Sequence, residues 1–438
     1  MRIAYITAGA AGMFCGSCMR DNTLAAALIA EGHDALLIPT YTPIRTDEEN
    51  ISQSRVFFGG INVYLQEKFS LFRYTPRWLD RLLDANWLLN WVSRFAASTQ
   101  ASKLGDLTVS MLQGELGHQR KEIDKLADWL ESDVRPEVIN LTNVILAGMV
   151  PRLRERLKVP ILGSLQGDDV FLEMLPEPHR TKAIDLISGH CSQMQGFIAT
   201  SRYYADFMSE YLRIPREKIH VVHPGLNLKG HGINEPRPSG SAPAIPFTIG
   251  YFARICPEKG LHHLIDAFCL LKETPGLPPV RLLVSGWLGA NNRTYFEEQK
   301  AKLARANLLE HFEHVESPDH ASKVRFLQGL DVLSVPTTYR EPKGLYVLEA
   351  WANGVPVVQP AHGSFPELLE MTGAGLLVPP GDAAALAAAL RQLLEQPEKR
   401  RRLGLMGHEA VRQRFDAASM ARATVAVYQR VVASDLPV

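Results

Sequence analysis

Short apolar runs alternate with segments of helical spacing along most of the chain. The first unit runs from the strand RIAYIT through the helix NTLAAALIAEG, which ends at Gly32, to the strand HDALLIPT. This order predicts a β-α-β unit and therefore a parallel sheet. Further strands are predicted at EVINLT, VPILGSL, GFIATS and IHVVHPG.

The alternation stops at NEPRPSGSAPAIP, residues 234–246, and restarts with FTIGYFA. Proline, serine and glycine crowd there as they do in linkers, and 438 residues exceed what one hydrophobic core usually serves. We therefore predict an α/β protein with two doubly wound domains, at 1–235 and 247–438, joined by a linker at 236–246. We expect the last helix to pack back on the first domain, and ligands to bind beyond the carboxyl ends of the strands, in the cleft between the domains.

A long excursion at residues 42–135 interrupts the first domain. It contains TPRWLDRLLDANWLLNWVSRFAAS, with three tryptophans and three arginines, Trp78, Trp87, Trp91, Arg77, Arg81 and Arg94. Such a segment can lie on a membrane surface or bind a hydrophobic acceptor. The alternative, a helical subdomain with its aromatics buried against the first domain, is favoured because Asp80 and Asp84 keep the polar face from being purely basic.

Charge and cysteine content exclude several classes of protein. The 47 basic and 47 acidic residues leave no net field, which argues against nucleic-acid binding. Five scattered cysteines are an odd number and do not make a disulfide framework, so we expect a reducing cytoplasm. We read the N-terminal apolar run as a strand and not as a signal peptide, and no apolar stretch reaches the ~18 residues of a membrane span.

The most informative chemistry lies in VPTTYREPKGLYVLEAWANG. An almost entirely apolar helix ends at Gly354 and carries Glu349 in its middle, where a carboxylate needs a hydrogen-bonding partner. Glu341 lies in the turn before this helix, and Gly344 stands at its start. A helix N-terminus offers unpaired N–H groups and a positive dipole end, which bind phosphate. The alternative is a helix cap with a buried polar anchor.

A second cluster follows the first strand of the second domain. In GYFARICPEKGLHHLIDAF, Arg254 lies in the turn and Lys259 just before a helix. Both project over the carboxyl edge of the sheet, on the same side as Gly344. Two cations and a helix N-terminus at one edge predict a diphosphate site.

With these motifs, the chain resembles the retaining glycosyltransferases of family 4. The resemblance rests on E-x7-E at Glu341 and Glu349, R-x4-K at Arg254 and Lys259, the strand GVPVV, HGSFPELL, and the opening unit LAAALIAEGHDALLI. The family has the GT-B fold, two doubly wound Rossmann-like domains facing across a cleft.

The resemblance implies a donor site for a nucleotide-diphosphate sugar in the second domain. Arg254 and Lys259 would bind the diphosphate, Glu341 the donor sugar hydroxyls and Glu349 the ribose hydroxyls. The further donor-binding residues are the backbone N–H groups of Gly344, Leu345 and Tyr346, together with Gly12. The acceptor-side candidates in the first domain are Cys15, Gly16, Gln166, Asp168 and Asp169.

The same resemblance implies a metal-independent enzyme without a cofactor, in which the departing phosphate oxygen helps deprotonate the acceptor. The expected partners are the nucleotide sugar and a hydroxyl acceptor on a glycan, lipid or small molecule, with peripheral membrane association if the acceptor is lipid-linked. The chain departs from the family pattern at Lys343, where an apolar residue is common, at Gln166, where a histidine is common, and at His223–Gly225, where PNG is common.

The stretch GAAGMFCGSCMRDN has a second interpretation. Its Cys15 and Cys18 have the C-x-x-C spacing of redox and metal sites. We favour a glycine loop, with Gly9, Gly12 and Gly16 allowing the ligand to approach the backbone. The other readings are a thiol-disulfide oxidoreductase, a sugar-nucleotide epimerase or hydrolase, and a catalytically silent GT-B binding module.

Overall fold

The computed structural model describes residues 1–9, 15–58, 104–233 and 246–435. These residues form two compact units, one made of Met1–Gly225 with Ala417–Val438 and one of Leu226–Asp416. The first unit thus ends before the boundary predicted at residue 235. Gly12 and the tryptophan-rich segment of the excursion lie outside the described residues.

The first unit contains a six-stranded parallel sheet in the order β2-β1-β3-β4-β5-β6. Its strands are β1 (Arg2–Ala8), β2 (Asp34–Thr40), β3 (Val138–Leu141), β4 (Ile161–Leu165), β5 (Gly196–Ala199) and β6 (Ile219–Val221). Every residue of β3, β4 and β5 is buried, as expected of apolar strands covered by helices on both faces.

Helices cover this sheet. They are α1 (Gly16–Ala30), α2 (Gly105–Leu112), α3 (Arg120–Trp129), α4 (Val150–Leu157), α5 (Asp168–Leu172), α6 (His179–Cys191), α7 (Arg202–Tyr211) and, from the end of the chain, α15 (Ala417–Asp435). The helix α1 begins at Gly16, before the predicted start at Asn22. The sequence does not indicate this earlier start, because Cys15 precedes the helix without a side-chain cap.

The C-terminal helix α15 belongs to the first unit. Its Met420, Ala421 and Tyr428 share one buried cluster with Ile3 of β1 and Leu24 of α1. Among the described helices, none combines the length with the hydropathy needed to cross a membrane.

The second unit contains another six-stranded parallel sheet, in the order β12-β11-β10-β7-β8-β9. Its strands are β7 (Phe247–Phe252), β8 (Val280–Ser285), β9 (Phe312–Val315), β10 (Val332–Leu333), β11 (Val357–Pro360) and β12 (Gly375–Val378). Its helices are α8 (Leu261–Lys272), α9 (Arg293–Arg305), α10 (His320–Gln328), α11 (Leu345–Ala352), α12 (Phe365–Thr372), α13 (Ala383–Glu395) and α14 (Pro397–Arg414).

The strand order of the second sheet reverses between β7 and β10. From β7 the chain winds outward to β9 on one side, and from β10 to β12 on the other. The loops that follow β7 and β10 therefore diverge onto opposite faces of the sheet and leave a crevice at the carboxyl ends of these two strands. Arg254 and Lys259 follow β7, and Glu341 follows β10.

Candidate functional site

The turns after β7 and β10 are joined through their backbones. Thr338 N–H donates to the carbonyl of Glu258 over 3.0 Å. Gly260 has φ +72°, and a Cβ at this position would meet the carbonyl oxygen of Pro336 at 1.8 Å. Only glycine adopts this conformation at such close approach without strain, so Gly260 allows Lys259 to lie next to the turn that carries Glu341.

Lys259 and Glu341 form an ion pair in this crevice. Lys259 Nζ lies 2.6 Å from Glu341 Oε2, and the exposed fractions of the two side chains are 14% and 5%. The ammonium also donates to the Tyr339 hydroxyl over 2.7 Å. It lies 4.9 Å from the ring centre of Tyr339 and 5.2 Å from that of Tyr346, within cation–π range.

The Glu341 carboxylate is held ionised. Burial alone would raise its pKa, but the charge and hydrogen bond of Lys259, the hydroxyl of Tyr339 and the charge of Lys343 outweigh burial and lower the pKa to about 2. The Tyr339 hydroxyl donates to Glu341 Oε2 over 2.5 Å, and the Tyr346 hydroxyl donates over 3.3 Å. Glu341 is therefore an acceptor at neutral pH, and the Lys343 charge lies near it.

A third loop supports Glu341 from behind. Ser364 N–H, after β11, donates to the Glu341 carbonyl over 2.8 Å. Gly363 has φ +60°, and a Cβ there would lie 2.6 Å from the Glu341 nitrogen. The glycine of HGSFPELL thus allows close contact between the two loops.

The helix α11 begins beside this pair. Gly344 precedes it with φ +67°, and Leu345 and Tyr346 are its first two residues. The first N–H groups of a helix lack partners within the helix, so those of Leu345 and Tyr346 offer an anion site at the point where Lys259 supplies a cation. Every residue from Tyr346 to Ala352 is buried, which confirms that the apolar helix is covered on most sides.

Arg254 lies on the same turn as Lys259 and is exposed. Burial and Glu341 raise the pKa of Tyr339 well above its usual value, and Arg254 opposes that rise. The guanidinium charge therefore lies near Tyr339, at the exposed side of the crevice.

Glu349, about one turn into α11, has a different partner. Lys323 Nζ of α10 donates to Glu349 Oε1 over 2.8 Å, and both side chains are 7% exposed. The two glutamates of E-x7-E are thus each paired with a lysine, Glu341 with Lys259 from the turn after β7 and Glu349 with Lys323 from α10. The sequence reasoning did not identify Lys323, Tyr339 or the Tyr346 hydroxyl.

In the first unit, Gln166 is buried. Its Nε2 donates to Thr142 O over 2.8 Å and to Asp21 Oδ1 over 3.1 Å. Asp21 also accepts from the hydroxyls of Tyr5 and Thr142. Gln166 therefore ties α1 to the end of β3, with its amide in the core.

Asp168 and Asp169 begin α5 and differ in their contacts. Asp168 accepts from the backbone N–H groups of Val144 over 2.8 Å and Gln166 over 3.0 Å, and burial raises its pKa to about 6. Asp169 is half-buried and accepts from the Tyr204 hydroxyl over 2.6 Å. Asp168 thus fixes backbone, and Asp169 is the more accessible of the two.

Cys15 and Cys18 lie at the start of α1. Cys15 is half-buried and immediately precedes Gly16, whereas Cys18 is buried and donates to the Ala8 carbonyl over 3.5 Å. None of the five cysteines, all within the described residues, is joined in a disulfide. No group of three or more His, Cys, Asp or Glu side chains in the described part of the chain is placed to hold a metal ion.

Two family models match the chain, and together they cover about two thirds of it. "Glycosyl transferases group 1" matches residues 234–409, which include the Lys259–Glu341 pair, and "Glycosyltransferase Family 4" matches residues 109–229. The two matches show a glycosyltransferase of the family 4 type.

Curated relatives match only part of this family 4 chain. It is 34% identical over 178 residues to a phosphatidyl-myo-inositol mannosyltransferase of Mycobacterium leprae, an alignment covering 41% of this chain and 45% of the relative. It is 30% identical over 230 residues to an MMP alpha-(1->4)-mannosyltransferase of Mycolicibacterium hassiacum, covering 52% of each. The alignments thus span about half the length of these relatives.

Solved structures match over nearly the whole length. Anabaena HepE, solved in complex with UDP, has a TM-score of 0.68 at 16% identity and covers 98% of this chain and 100% of its own. Sucrose-phosphate synthase of Thermosynechococcus elongatus has a TM-score of 0.72 at 19% identity, covering 99% and 100%. At this identity the likeness shows the fold, and the GT-B fold predicted for this family 4 chain is confirmed.

Proposed function

We propose that this protein is a retaining glycosyltransferase that moves a sugar from a nucleotide-diphosphate sugar to a hydroxyl acceptor. The observation that carries the proposal is the Lys259–Glu341 pair at the start of α11, at the strand-order reversal of the second sheet. Family membership supports the reaction class. The UDP of the HepE complex and the UDP-glucose of another HepE structure support a nucleotide-sugar donor.

The donor diphosphate binds between the cations and the first turn of α11 in this proposal. Lys259, Arg254 and the N–H groups of Leu345 and Tyr346 stabilise the charge that grows on the leaving diphosphate. Glu341 accepts hydrogen bonds from donor sugar hydroxyls, and Glu349 accepts them from the ribose. The N–H group of Gly344 joins those of Leu345 and Tyr346 in this proposal, and Gly12, which lies outside the described residues, stays a prediction from the family resemblance.

Transfer follows a front-face displacement without a metal or cofactor. The bond between the anomeric carbon and the diphosphate oxygen breaks, and a bond to the acceptor oxygen forms on the same face. The acceptor proton passes to the departing phosphate oxygen, so catalysis comes mainly from positioning and electrostatic stabilisation.

Acceptor recognition belongs to the first unit in this proposal. The candidates are Cys15, Gly16 and Asp169, while Gln166 and Asp168 hold the neighbouring backbone in place. The cytoplasmic location stays a prediction.

Thermal unfolding with UDP, GDP and ADP tests the donor site. A ligand at 100 times its Kd stabilises the native state by about 2.7 kcal/mol, which corresponds to a rise in Tm of several degrees. We expect one of the three nucleotides to produce this rise in the wild type and not in Lys259→Ala.

Lys302→Ala is the matched control, because Lys302 forms a comparable pair with Asp266, 2.6 Å apart, on the surface of the same unit. It should respond like the wild type. An unchanged response in Lys259→Ala, or no response to any nucleotide, would contradict the proposal.

A further inference from the structure

Lys323 and Glu349 form an ion pair inside the second unit. The distance from Lys323 Nζ to Glu349 Oε1 is 2.8 Å, and the side chains are equally buried. Taking two charges out of water is costly, and replacing such buried pairs by apolar residues is often neutral or stabilising. Stability alone therefore does not account for this pair in a helix as apolar as α11.

The position of Lys323 is set by the start of α10. Asp319 and Ser322 form a reciprocal capping box, with Ser322 N–H donating to Asp319 Oδ1 over 2.7 Å. The capping box fixes the first turn of α10. Lys323 comes next and lies on the buried face of α10 with Val324 and Phe326.

Glu349 is anchored at both ends. The Lys323 ammonium holds its carboxylate, and Asn353 Nδ2 donates to its carbonyl oxygen over 2.8 Å. A carboxylate has two oxygens and about four acceptor positions, so a carboxylate whose orientation is held by an ammonium can also accept hydrogen bonds from a pair of hydroxyls.

We propose that Lys323 is the positioning residue for ribose recognition, and that it aims the Glu349 carboxylate at the 2′- and 3′-hydroxyls of the donor nucleotide. This inference rests on the proposed function. The site is then selective for ribonucleotides, and its selectivity depends on a lysine that does not contact the diphosphate. Hydrogen bonds to charged groups are stronger than those between neutral groups, so we expect the two hydroxyls together to raise nucleotide affinity by at least about tenfold.

The test compares ribonucleotides with their 2′,3′-dideoxy analogues by calorimetric titration of the full chain. UDP, GDP and ADP are each paired with their analogue, so that the base need not be known. For the nucleotide that binds, we expect the wild type to prefer the ribose form by at least about tenfold. Lys323→Met should bind the ribose form about tenfold more weakly and the dideoxy form nearly as well as the wild type.

Control variants separate positioning from folding. Lys302→Met removes the surface pair with Asp266 and should keep the full preference for ribose. Lys323→Gln replaces Lys323→Met if the latter does not fold. Glutamine keeps an N–H donor but is shorter and uncharged, so this variant should lose most of the preference for ribose.

Two outcomes overturn the inference in distinguishable ways. Equal loss of ribose and dideoxy binding in the folded Lys323 variants overturns the role of Lys323 and leaves the proposed function standing. A wild type that binds none of the three nucleotides overturns both.

Discussion

Replacing Glu341 by glutamine should strengthen the binding of a nucleoside diphosphate while it weakens sugar transfer. Lys259 is paired with Glu341, with Nζ and Oε2 2.6 Å apart. A diphosphate must therefore compete with Glu341 for this ammonium. Glu341→Gln removes the competing charge and keeps the side-chain shape.

The magnitude follows from two independent estimates. Unit charges 4 Å apart attract each other by about 4 kcal/mol at an effective dielectric constant of about 20, and at the shorter separation of this pair the attraction is at least as large. The pKa of Glu341, lowered from 4.5 to about 2, corresponds to about 3 kcal/mol at 1.36 kcal/mol per pKa unit. If the wild type loses about half of this attraction when the diphosphate binds, Glu341→Gln avoids that loss. Its affinity for the nucleoside diphosphate is then higher by about 1.5 kcal/mol, or roughly tenfold.

Calorimetric titration of wild type and Glu341→Gln with the nucleoside diphosphate measures this change. Transfer should fall about 100-fold or more, because the neutral amide no longer accepts from donor hydroxyls as a carboxylate does. Glu297→Gln is the control, because it removes a glutamate paired with Lys300 over 3.1 Å at the surface of the same unit, and it should change neither quantity. Weaker or unchanged diphosphate binding in a folded Glu341→Gln would refute competition for Lys259.

Three further predictions concern stability. The pKa of Glu341 is lowered from 4.5 to about 2 in the folded protein, so about 3 kcal/mol of stability that is present above pH 4.5 is lost as the pH falls towards 2. Urea unfolding between pH 5 and 3 should therefore show a smaller loss of stability in Glu341→Gln than in the wild type. The pKa of Asp168 is raised from 3.8 to about 6 in the folded protein, so about 3 kcal/mol of stability is lost as the pH rises from 3.8 to 6. The free energy of unfolding of Asp168→Asn should lack this pH dependence. The same pH dependence in Asp168→Asn and the wild type would rule out a contribution from Asp168. Gly260→Ala should cost at least about 3 kcal/mol of stability and abolish nucleotide binding, because the new Cβ meets Pro336. The control Gly276→Ala, at φ +73° with nothing within 4 Å of its Cβ, should cost only about 1–2 kcal/mol. Equal melting temperatures of the two variants would show that the contact with Pro336 is unimportant.

The sheet architecture could be predicted because it depends on local patterns. The apolar runs FTIGYFA and DVLSVP end at the edge where Lys259 and Glu341 lie, and a parallel sheet brings the carboxyl ends of its strands together. The predicted convergence of Lys259 with Glu341 and Gly344 thus needed only strand positions. The start of α1 was missed because Cys15 carries no capping signal.

Two other partners, Tyr339 of Glu341 and Lys323 of Glu349, could not be predicted in the same way. Lys259 and Tyr339 meet across 80 positions of sequence, and Lys323 reaches Glu349 across 26. No local periodicity reports such contacts, and an isolated lysine in a helix usually lies on the surface. A glutamate in the middle of an apolar helix does indicate that a partner must exist, but the identity of that partner depends on how α10 packs against α11.

The most direct test of the central claim is donor turnover. Wild-type protein is incubated with glucose and mannose conjugates of UDP, GDP and ADP and with a cell-derived glycan and lipid extract, and the released nucleoside diphosphate and the glycosylated product are measured by mass spectrometry. We predict that one donor is consumed, that sugar appears on an acceptor hydroxyl with the anomeric configuration of the donor, and that Lys259→Ala loses this activity while Lys302→Ala keeps it. Undiminished transfer in Lys259→Ala, or a product of inverted configuration, would contradict the account.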